Sequence, residues 1–200
     1  MQKHNVVEAP TEDAFARFNI FRALSVERRE KILSNFLVWP LNPSETHGQG
    51  DLFLRAFVDA VDQNLPRNER IVRRRSKTTK LFQGAQVYRE FNRVDVLIVL
   101  PRGVIVAIEN KVGAKESLRQ LSEYAYLTRL NFPNCRHVFV YLTVNGGTPS
   151  DPCWCACSHH QVMRAIAVAL DNVVDNTPKE IRTFIKHYVN WVEELYIQRQ

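Results

Sequence analysis

Two acidic residues, Asp95 and Glu109, lie at equal distances from a short Pro-Arg-Gly turn centred on Arg102. The flanking segments Val94–Leu100 and Val104–Asn110 are aliphatic and β-branched, which predicts the two strands of one β-hairpin. A three-residue turn places Asp95 directly opposite Glu109. The Cβ atoms of the two acids are then expected about 4.5–5.5 Å apart.

Lys111 follows Glu109 by two positions, and side chains on a strand alternate between the two faces. Lys111 is therefore predicted on the same face as Glu109, with Ile108 and Asn110 on the other. Like charges opposed on paired strands are destabilising unless something neutralises them. A divalent cation held by oxygen ligands would do so. The two acids and the lysine predict a metal-dependent active site.

A solvated surface hairpin is the alternative explanation of these charges. Between the two acids, however, both strands are apolar on both faces. Such strands belong to a sheet that is covered on both sides, where an ionised side chain is costly unless it is paired or bound to metal. We therefore expect the carboxylate pair to be functional.

The pattern of Asp95, one hairpin, and then Glu109-Asn110-Lys111 resembles the signature of the PD-(D/E)XK nuclease superfamily. The likeness covers roughly residues 19–145 and is similar to a prokaryotic branch of largely undefined function. It rests on the following segments: Asn19–Phe21, Ser34–Leu37, Asn42–Pro43, His47–Gly48, Asp51–Leu54, Ala107–Val112, Gln120–Leu121 and Tyr124. The resemblance implies an α/β fold with a mixed sheet and a restriction-endonuclease-like core: helix, three-stranded antiparallel meander, helix and strand, with additional flanking helices.

The resemblance also implies roles for the hairpin residues. Asp95 and Glu109 would hold Mg²⁺, or Mn²⁺ in its place, with the Asn110 carbonyl oxygen as a further ligand. Lys111 would orient or deprotonate the attacking water, or stabilise the developing charge, and these three roles stay open. Gln120 resembles an accessory polar residue near Lys111, while an exposed helix glutamine is the alternative.

A further side chain from upstream elements often completes such sites, and this chain has three candidates. Glu30 matches the branch motif, would lie on a helix and ranks first. Glu90 ends the strand before Asp95, and His47 follows the loop signature, so both are expected as accessory residues. A solvated side chain is the alternative for each of them.

The chain departs from the branch pattern at two places. Leu33 stands where a histidine is expected before Ser34, so no role of that histidine is carried over. Trp39-Pro40 replaces an expected Trp-Leu pair, and Pro40 predicts an early end of the helix. The hairpin residues and Gln120 match the pattern, which favours retained hydrolytic chemistry.

Basic residues concentrate between positions 67 and 80, where Glu69 is the only acid. The chain has a formal net charge of +6 and a pI of about 9.3. A cluster of this kind is typical of phosphate contact, and its closeness to the hairpin favours nucleic acid. Residues 67–80 are predicted as an edge strand and loop, and a charged, solvated edge strand without phosphate contact is the alternative. The expected phosphate contacts are Arg70, Arg73, Arg74, Arg75 and Lys77.

Three cysteines, Cys153, Cys155 and Cys157, precede His159 and His160. Their spacing is tighter than the usual Cys-x2-4-Cys ligand pairs, and no second distant pair accompanies them. We expect reduced cysteines in a partly buried strand or loop, without zinc.

The 200 residues, 45% of them hydrophobic, are enough for one domain with a substantial core. We expect a helical part over 1–65, a catalytic core over 85–145 and C-terminal helices over 158–200. Thr11 would cap a first helix with Phe15, Phe18 and Phe21 turned inward. Further helices are predicted at about 26–39, 51–65, 115–130, 159–172 and 178–197, and strands at 85–90 and 137–144.

No apolar run approaches the ~18 residues of a membrane span. The first ten residues lack the apolar core of a signal peptide. These patterns predict a cytoplasmic protein without membrane contact.

The pattern as a whole predicts a Mg²⁺-dependent endonuclease that hydrolyses phosphodiester bonds, with DNA favoured as the substrate. The alternative is a non-catalytic nucleic-acid-binding or assembly subunit that retains the fold. The resemblance also allows an effector nuclease of prokaryotic or phage defence, silent until a partner or a signal repositions the site. A homodimer or a regulatory protein partner is compatible with either function.

Overall fold

The computed structural model describes residues 18–26, 29–72, 81–113, 116–117, 119–172 and 177–197. The first predicted helix is therefore covered only in its last part, since Thr11 and Phe15 lie outside the described residues. Most of the basic stretch also lies outside the described residues, including Arg73, Arg74, Arg75 and Lys77.

A five-stranded mixed sheet forms the centre of the fold. The strands follow one another across the sheet in chain order: β1 (Gln86–Phe91), β2 (Val94–Leu100), β3 (Val104–Lys111), β4 (Arg136–Thr143) and β5 (Trp154–Ser158). Strands β1 to β3 form an antiparallel meander, and β4 and β5 continue the sheet in parallel with β3. The predicted meander is confirmed, and β5 adds one strand to the predicted core.

Six helices are found in the described part of the chain: α1 (Ile20–Ala23), α2 (Glu30–Leu41), α3 (Leu52–Asn64), α4 (Gln120–Asn131), α5 (His159–Asn172) and α6 (Lys179–Ile197). One hydrophobic core joins α2, α3, α5 and α6 to one face of the sheet. A smaller core on the other face joins α4 to β2, β3 and β4. The mixed α/β architecture with helices on both faces is the predicted one.

The register of the hairpin is the one expected from its turn. Leu100 pairs with Val104, and Val96 pairs with Ile108. Arg102 has a φ of +67°, in the left-handed region, which lets the chain reverse within the three-residue turn. Because both strands are almost completely buried, a shift by one residue would turn their charged ends into the apolar layers, so the register is strongly specified.

Helix α2 continues past the predicted stop at Pro40 and ends at Leu41. The prediction of an early end was wrong because proline lies in the last turn. There it removes one backbone donor, while the turn is still closed by the bond from Asn42 N to Val38 O at 3.0 Å. The hydrophobic residues of this helix stay in register with the main core.

Two further expectations need correction. Phe18 was expected to point inward but is 54% exposed, whereas Phe21 is fully buried. The described part of the predicted edge strand, residues 67–72, forms turns and bends. The carboxylate of Asp62 accepts hydrogen bonds from the backbone N–H groups of Ile71 and Val72 at 2.6 and 2.9 Å, which leaves those donors unavailable to a strand partner.

The cysteine segment forms strand β5, which decides between the two conformations left open by the sequence. Cys155 and Cys157 lie on this strand, Cys153 directly precedes it, and all three are free thiols. Burial raises the pKa of Cys157 to about 12, so this thiol stays protonated. Within the described ranges, no helix combines the length and the apolarity needed to cross a bilayer.

Candidate active site

The site lies where β2 begins and β3 ends. Val96 and Ile108 form the last pair of the hairpin ladder, and Asp95 and Glu109 are the residues immediately beyond it. One carboxylate oxygen of Asp95 accepts a hydrogen bond from the backbone N–H of Asn110 at 2.8 Å. The two acids are therefore neighbours at the same end of the hairpin, as the turn geometry requires.

Lys111 lies between two carboxylates. Its Nζ is 3.1 Å from Oε1 of Glu109 and 3.8 Å from Oε2 of Glu30. The Glu109 side chain is 2% exposed, and that of Lys111 is 13% exposed. This is a largely desolvated ion pair, in which Coulomb interactions are stronger than at an open surface.

Glu30 reaches the site from the first turn of α2. Its Oε1 accepts hydrogen bonds from the backbone N–H groups of Val112 and Gly113, at 2.8 and 2.9 Å. These contacts hold the carboxylate against the chain that leaves β3. The leading upstream candidate is thus placed beside Lys111.

Gln120 is the first residue of α4, on the same side of the sheet as Glu109. Its Nε2 donates to Oε1 of Glu109 at 2.8 Å and lies 3.2 Å from the hydroxyl of Tyr124. Its Oε1 accepts from the backbone N–H of Ser117 at 3.1 Å. The side chain is therefore oriented on both ends, and the exposed alternative does not describe it.

The electrostatics of the acid pair reflect burial. Burial raises the pKa of Glu109 to about 7, with the negative charge of Asp95 acting in the same direction. Burial also raises the pKa of Asp95, although the N–H of Asn110 favours its ionised form. Two adjacent acids that both resist ionisation are poorly balanced by the protein alone.

The pKa of Lys111 is shifted in the direction opposite to that of a lysine that is only buried. Burial by itself would lower the pKa of Lys111, but the carboxylates of Glu109, Glu30 and Asp95 together raise it. The side chain is thus held as an ammonium at neutral pH. This protonation state favours a role in charge stabilisation over one as a base.

Asn110 directs its side chain into the opposite layer, as the alternation along β3 predicts. Its amide is fully buried and contacts Ser34 Oγ at 2.9 Å and His159 Nε2 at 2.6 Å. Only its backbone is available on the side of the two acids. A ligand role of Asn110 would therefore use its main-chain carbonyl oxygen.

The two accessory candidates differ in their closeness to this cluster. Glu90 lies on β1 at the position opposite Asp95, between the two ladder pairs that flank it, and forms an exposed ion pair with Lys31 at 2.9 Å. Its negative charge is a minor influence that raises the pKa of Asp95. His47 is buried in its own loop, where Nε2 contacts Asn42 O and Nδ1 accepts from Gln49 N. In this structure, His47 organises the loop between α2 and α3.

Arg70, the one described residue among the five expected phosphate contacts, lies at the other end of β3 from the acids. Its carbonyl oxygen accepts from Arg136, which pairs with Val104 at the start of β3. The strand from Val104 to Lys111 is about 23 Å long at the usual rise per residue. The structure does not bring Arg70 to the acids and the lysine.

Tyr141 is a site neighbour that the sequence reasoning missed. It pairs with Glu109 across the parallel β3–β4 ladder, so both side chains lie on the same face. Burial raises the pKa of its phenol, and the charge of Glu116 adds to this effect. No local sequence signal identifies Tyr141, because the β3–β4 register depends on how α4 crosses between the strands.

The oxygen-rich donor set fits a hard divalent cation. Oε2 of Glu109 is buried and has no hydrogen-bond partner among the described residues. Carboxylate and carbonyl oxygens suit Mg²⁺ or Mn²⁺. No group of three or more His, Cys, Asp or Glu side chains in the described residues is arranged to hold a metal ion. Asp95 and Glu109 would therefore supply two ligands and need a backbone oxygen or water for the rest.

A mixed sheet whose hairpin ends in two acids and a lysine defines a restriction-endonuclease-like protein. The family model of the PD-(D/E)XK nuclease superfamily matches residues 18–194, and the chain belongs to this superfamily. The match extends beyond the predicted likeness, since it includes β5, α5 and nearly all of α6. No curated protein and no solved structure matches the chain.

Proposed function

We propose that this protein is a metal-dependent endonuclease that hydrolyses phosphodiester bonds, with DNA as its preferred substrate. The observation that carries the proposal is the 3.1 Å contact between Lys111 and the buried Glu109, one residue beyond the hairpin ladder and next to Asp95. Membership of a nuclease superfamily supports a nucleic-acid substrate.

Asp95 and Glu109, with the carbonyl oxygen of Asn110, would hold Mg²⁺ or Mn²⁺. When bound, such a cation would neutralise the acid pair, polarise the scissile phosphate and make water a better nucleophile. Gln120 holds Oε1 of Glu109, which leaves the unpartnered Oε2 to face the ligand. Glu30 would keep Lys111 and the end of β3 in place.

Lys111 would stabilise the negative charge that develops on the phosphate oxygens. An ammonium group in a partly desolvated site does this well, because its charge is positioned before the reaction begins. The raised pKa of Lys111 makes it a poor base until the carboxylate charges around it are neutralised. Of the three roles left open by the sequence, charge stabilisation or orientation of the water is the better supported.

Substrate binding is proposed to come from the basic stretch. Arg70 lies at the far end of β3 from the acids and would contact a phosphate away from the reacting bond. Further phosphate contacts are proposed for Arg73, Arg74, Arg75 and Lys77. A homodimer or a regulatory partner that completes the substrate surface fits this separation. Such an arrangement would also suit a defence effector that is silent until it is activated.

The test is cleavage of plasmid DNA, single-stranded DNA and RNA by purified protein with Mg²⁺, with Mn²⁺ or with EDTA. Cleavage is expected only with the metals. The variants Asp95→Ala, Glu109→Ala and Lys111→Ala should each lose at least about 10³-fold in rate, because each removes charge stabilisation at the reacting phosphate. Arg22→Ala, in the exposed ion pair with Glu194 between α1 and α6, is the control and should stay active.

Full activity in EDTA or in Lys111→Ala would contradict the proposal. Binding of nucleic acid without cleavage under every metal condition would instead support the non-catalytic alternative. Preference for RNA over DNA would retain the nuclease and correct its substrate.

A further inference from the structure

Three polar side chains from separate elements meet on the face of the sheet opposite Glu109. Ser34 comes from α2, Asn110 from β3 and His159 from the first position of α5. They are 2%, 0% and 1% exposed. Polar groups so deeply buried are costly unless they are hydrogen-bonded to one another. The sequence reasoning did not include His159 in the site.

The hydrogen bonds among these groups have a defined direction. The Ser34 hydroxyl donates its single hydrogen to the backbone carbonyl of Glu30 at 2.9 Å. Ser34 Oγ can therefore only accept from Asn110 Nδ2, which lies 2.9 Å away. This turns the Asn110 amide oxygen towards His159, whose Nε2 is 2.6 Å distant and must carry the hydrogen.

The result is one directed chain from His159 through Asn110 and Ser34 to the carbonyl of Glu30. In this chain, Asn110 lies on β3 between Glu109 and Lys111. Glu30, at the end of the chain, is the acid that contacts Lys111. The chain thus links the two elements that carry the site, β3 and the first turn of α2.

On the side of β2, the last residues of β3 are held by side-chain contacts and not by strand pairing. The ladder to β2 stops at the pair Val96 and Ile108, two residues before Asn110. Beyond it, the Asn110 N–H bonds to the Asp95 side chain, and Glu30 bonds to the N–H groups of Val112 and Gly113. The relative placement of the acids is therefore determined by side-chain contacts as well as by the sheet.

We propose that His159 is a positioning residue of the active site, which acts through Asn110 and Ser34 to align Glu30 with Glu109 and Lys111. It touches neither metal nor substrate. Its consequence for catalysis rests on the proposed function, but its effect on the alignment of β3 and α2 does not.

The first measurement is amide hydrogen exchange in metal-free protein without nucleic acid. The N–H groups of Val112 and Gly113 report on the contact with Glu30. His159→Phe, which keeps a ring but removes the donor, should accelerate exchange at both by about tenfold or more relative to Val140 in β4. Ser34→Ala should do the same, because it breaks the chain at its last link.

Controls and combinations separate positioning from general stability. His160→Phe changes the next residue of α5, whose ring stacks on Tyr196 away from the chain, and should leave both amides unchanged. In the double variant of His159→Phe and Ser34→Ala, the two amides should exchange no faster than in the faster-exchanging single variant, because both substitutions interrupt the same hydrogen-bond chain. His159→Gln, which retains an amide donor, should restore part of the protection.

The second measurement is Mg²⁺ titration of the protein alone, followed by steady-state cleavage. His159→Phe is expected to weaken Mg²⁺ binding by about 10- to 100-fold, in the range found for residues that orient metal ligands. The rate constant kcat should fall with little change in KM, since substrate contacts are retained.

Unchanged exchange at Val112 and Gly113 in folded His159→Phe would overturn the proposal, as would equal acceleration in His160→Phe. If His159→Phe does not fold, Ser34→Ala decides in its place, and normal exchange in that variant overturns the proposal. A wild-type protein that cuts no nucleic acid would overturn the proposed function and leave the exchange result standing.

Discussion

The two faces of the sheet at the end of β3 differ in how their polar groups are balanced. On one face, Glu109 and Asp95 are buried acids whose pKa values are raised, and Oε2 of Glu109 has no partner among the described residues. On the other face, Asn110 is fully buried and both ends of its amide are hydrogen-bonded. Glu109 and Asn110 are adjacent on β3, yet the charge of Glu109 is poorly balanced whereas the amide of Asn110 is hydrogen-bonded at both ends.

This difference distinguishes the part that binds from the part that supports. Unbalanced charge is tolerated in a folded protein where a ligand or function compensates for it. The chain of neutral groups on the other face adds rigidity and carries no charge to be balanced, although Nδ1 of His159 also has no hydrogen-bond partner among the described residues. We therefore propose that the face of Glu109 binds and that the face of Asn110 supports it.

The contrast predicts opposite effects of substitution on stability in the absence of metal. Asn110→Leu leaves the buried Nε2–H of His159 without its acceptor, while Ser34 keeps its bond to the Glu30 carbonyl, and should destabilise the fold by about 1–3 kcal/mol. Glu109→Gln at pH 8 should stabilise it, because the charge that resists burial is removed. Urea unfolding in EDTA measures the change in the free energy of unfolding for each variant. Equal destabilisation by both variants would contradict the proposed difference between the two faces.

The raised pKa of Glu109 predicts a pH dependence of stability. The folded protein keeps a proton on this carboxyl up to about pH 7, whereas the unfolded chain releases it near its ordinary pKa. The folded state therefore binds more protons in that interval, and metal-free stability should fall as the pH rises from about 4.5 to 7.

Urea midpoints across this range in EDTA measure the effect, with Glu109→Gln as the control in which the slope is reduced. Mg²⁺ should counteract the loss at the upper end, because it requires the ionised acids. Stability that rises with pH through the same interval, with the Glu109→Gln slope unchanged, would show that Glu109 is not shifted as described.

Gln120 tests how far Glu109 depends on its neighbours. Gln120→Ala removes the 2.8 Å bond to Oε1 of Glu109 and should lower the cleavage rate by about 10- to 100-fold, as for other residues that orient metal ligands. Glu123→Ala on the same helix, which loses only an exposed ion pair with Arg93, is the control. Equal rates for the two variants would limit Gln120 to a helix-start residue.

The smallest expected effect concerns the basic stretch. Its residue Arg70 lies near the start of β3, far from the acids at the end of that strand. Neutralising Arg73, Arg74 and Arg75 should flatten the slope of log K against log salt by about 0.9 for each phosphate of duplex DNA that is no longer neutralised. The rate of cleavage at saturating DNA should change little, since these residues are proposed to bind and not to react. An unchanged slope would assign the stretch to a solvated role.

Much of the fold was predictable because its signals are local. The aliphatic runs around Arg102 specify the hairpin register, and helical spacing located α3, α5 and α6 to within one or two residues. The helix predicted from residue 115 begins only at Gln120, since residues 116–117 are not helical. Failures occurred where tertiary contacts replaced a local preference. Pro40 is tolerated in the last turn of α2, and residues 71–72 give their N–H groups to Asp62 in place of a strand neighbour.

The sequence by itself determined the hairpin, the facing of Asp95 and Glu109, and the side on which Lys111 lies, since these follow from strand alternation and turn length alone. Only the tertiary structure decided that Glu30 reaches Lys111, that Tyr141 stands beside Glu109, and that His159 closes a chain to Ser34. These contacts join residues far apart in the chain. They depend on how helices pack on a sheet, which no local spacing encodes.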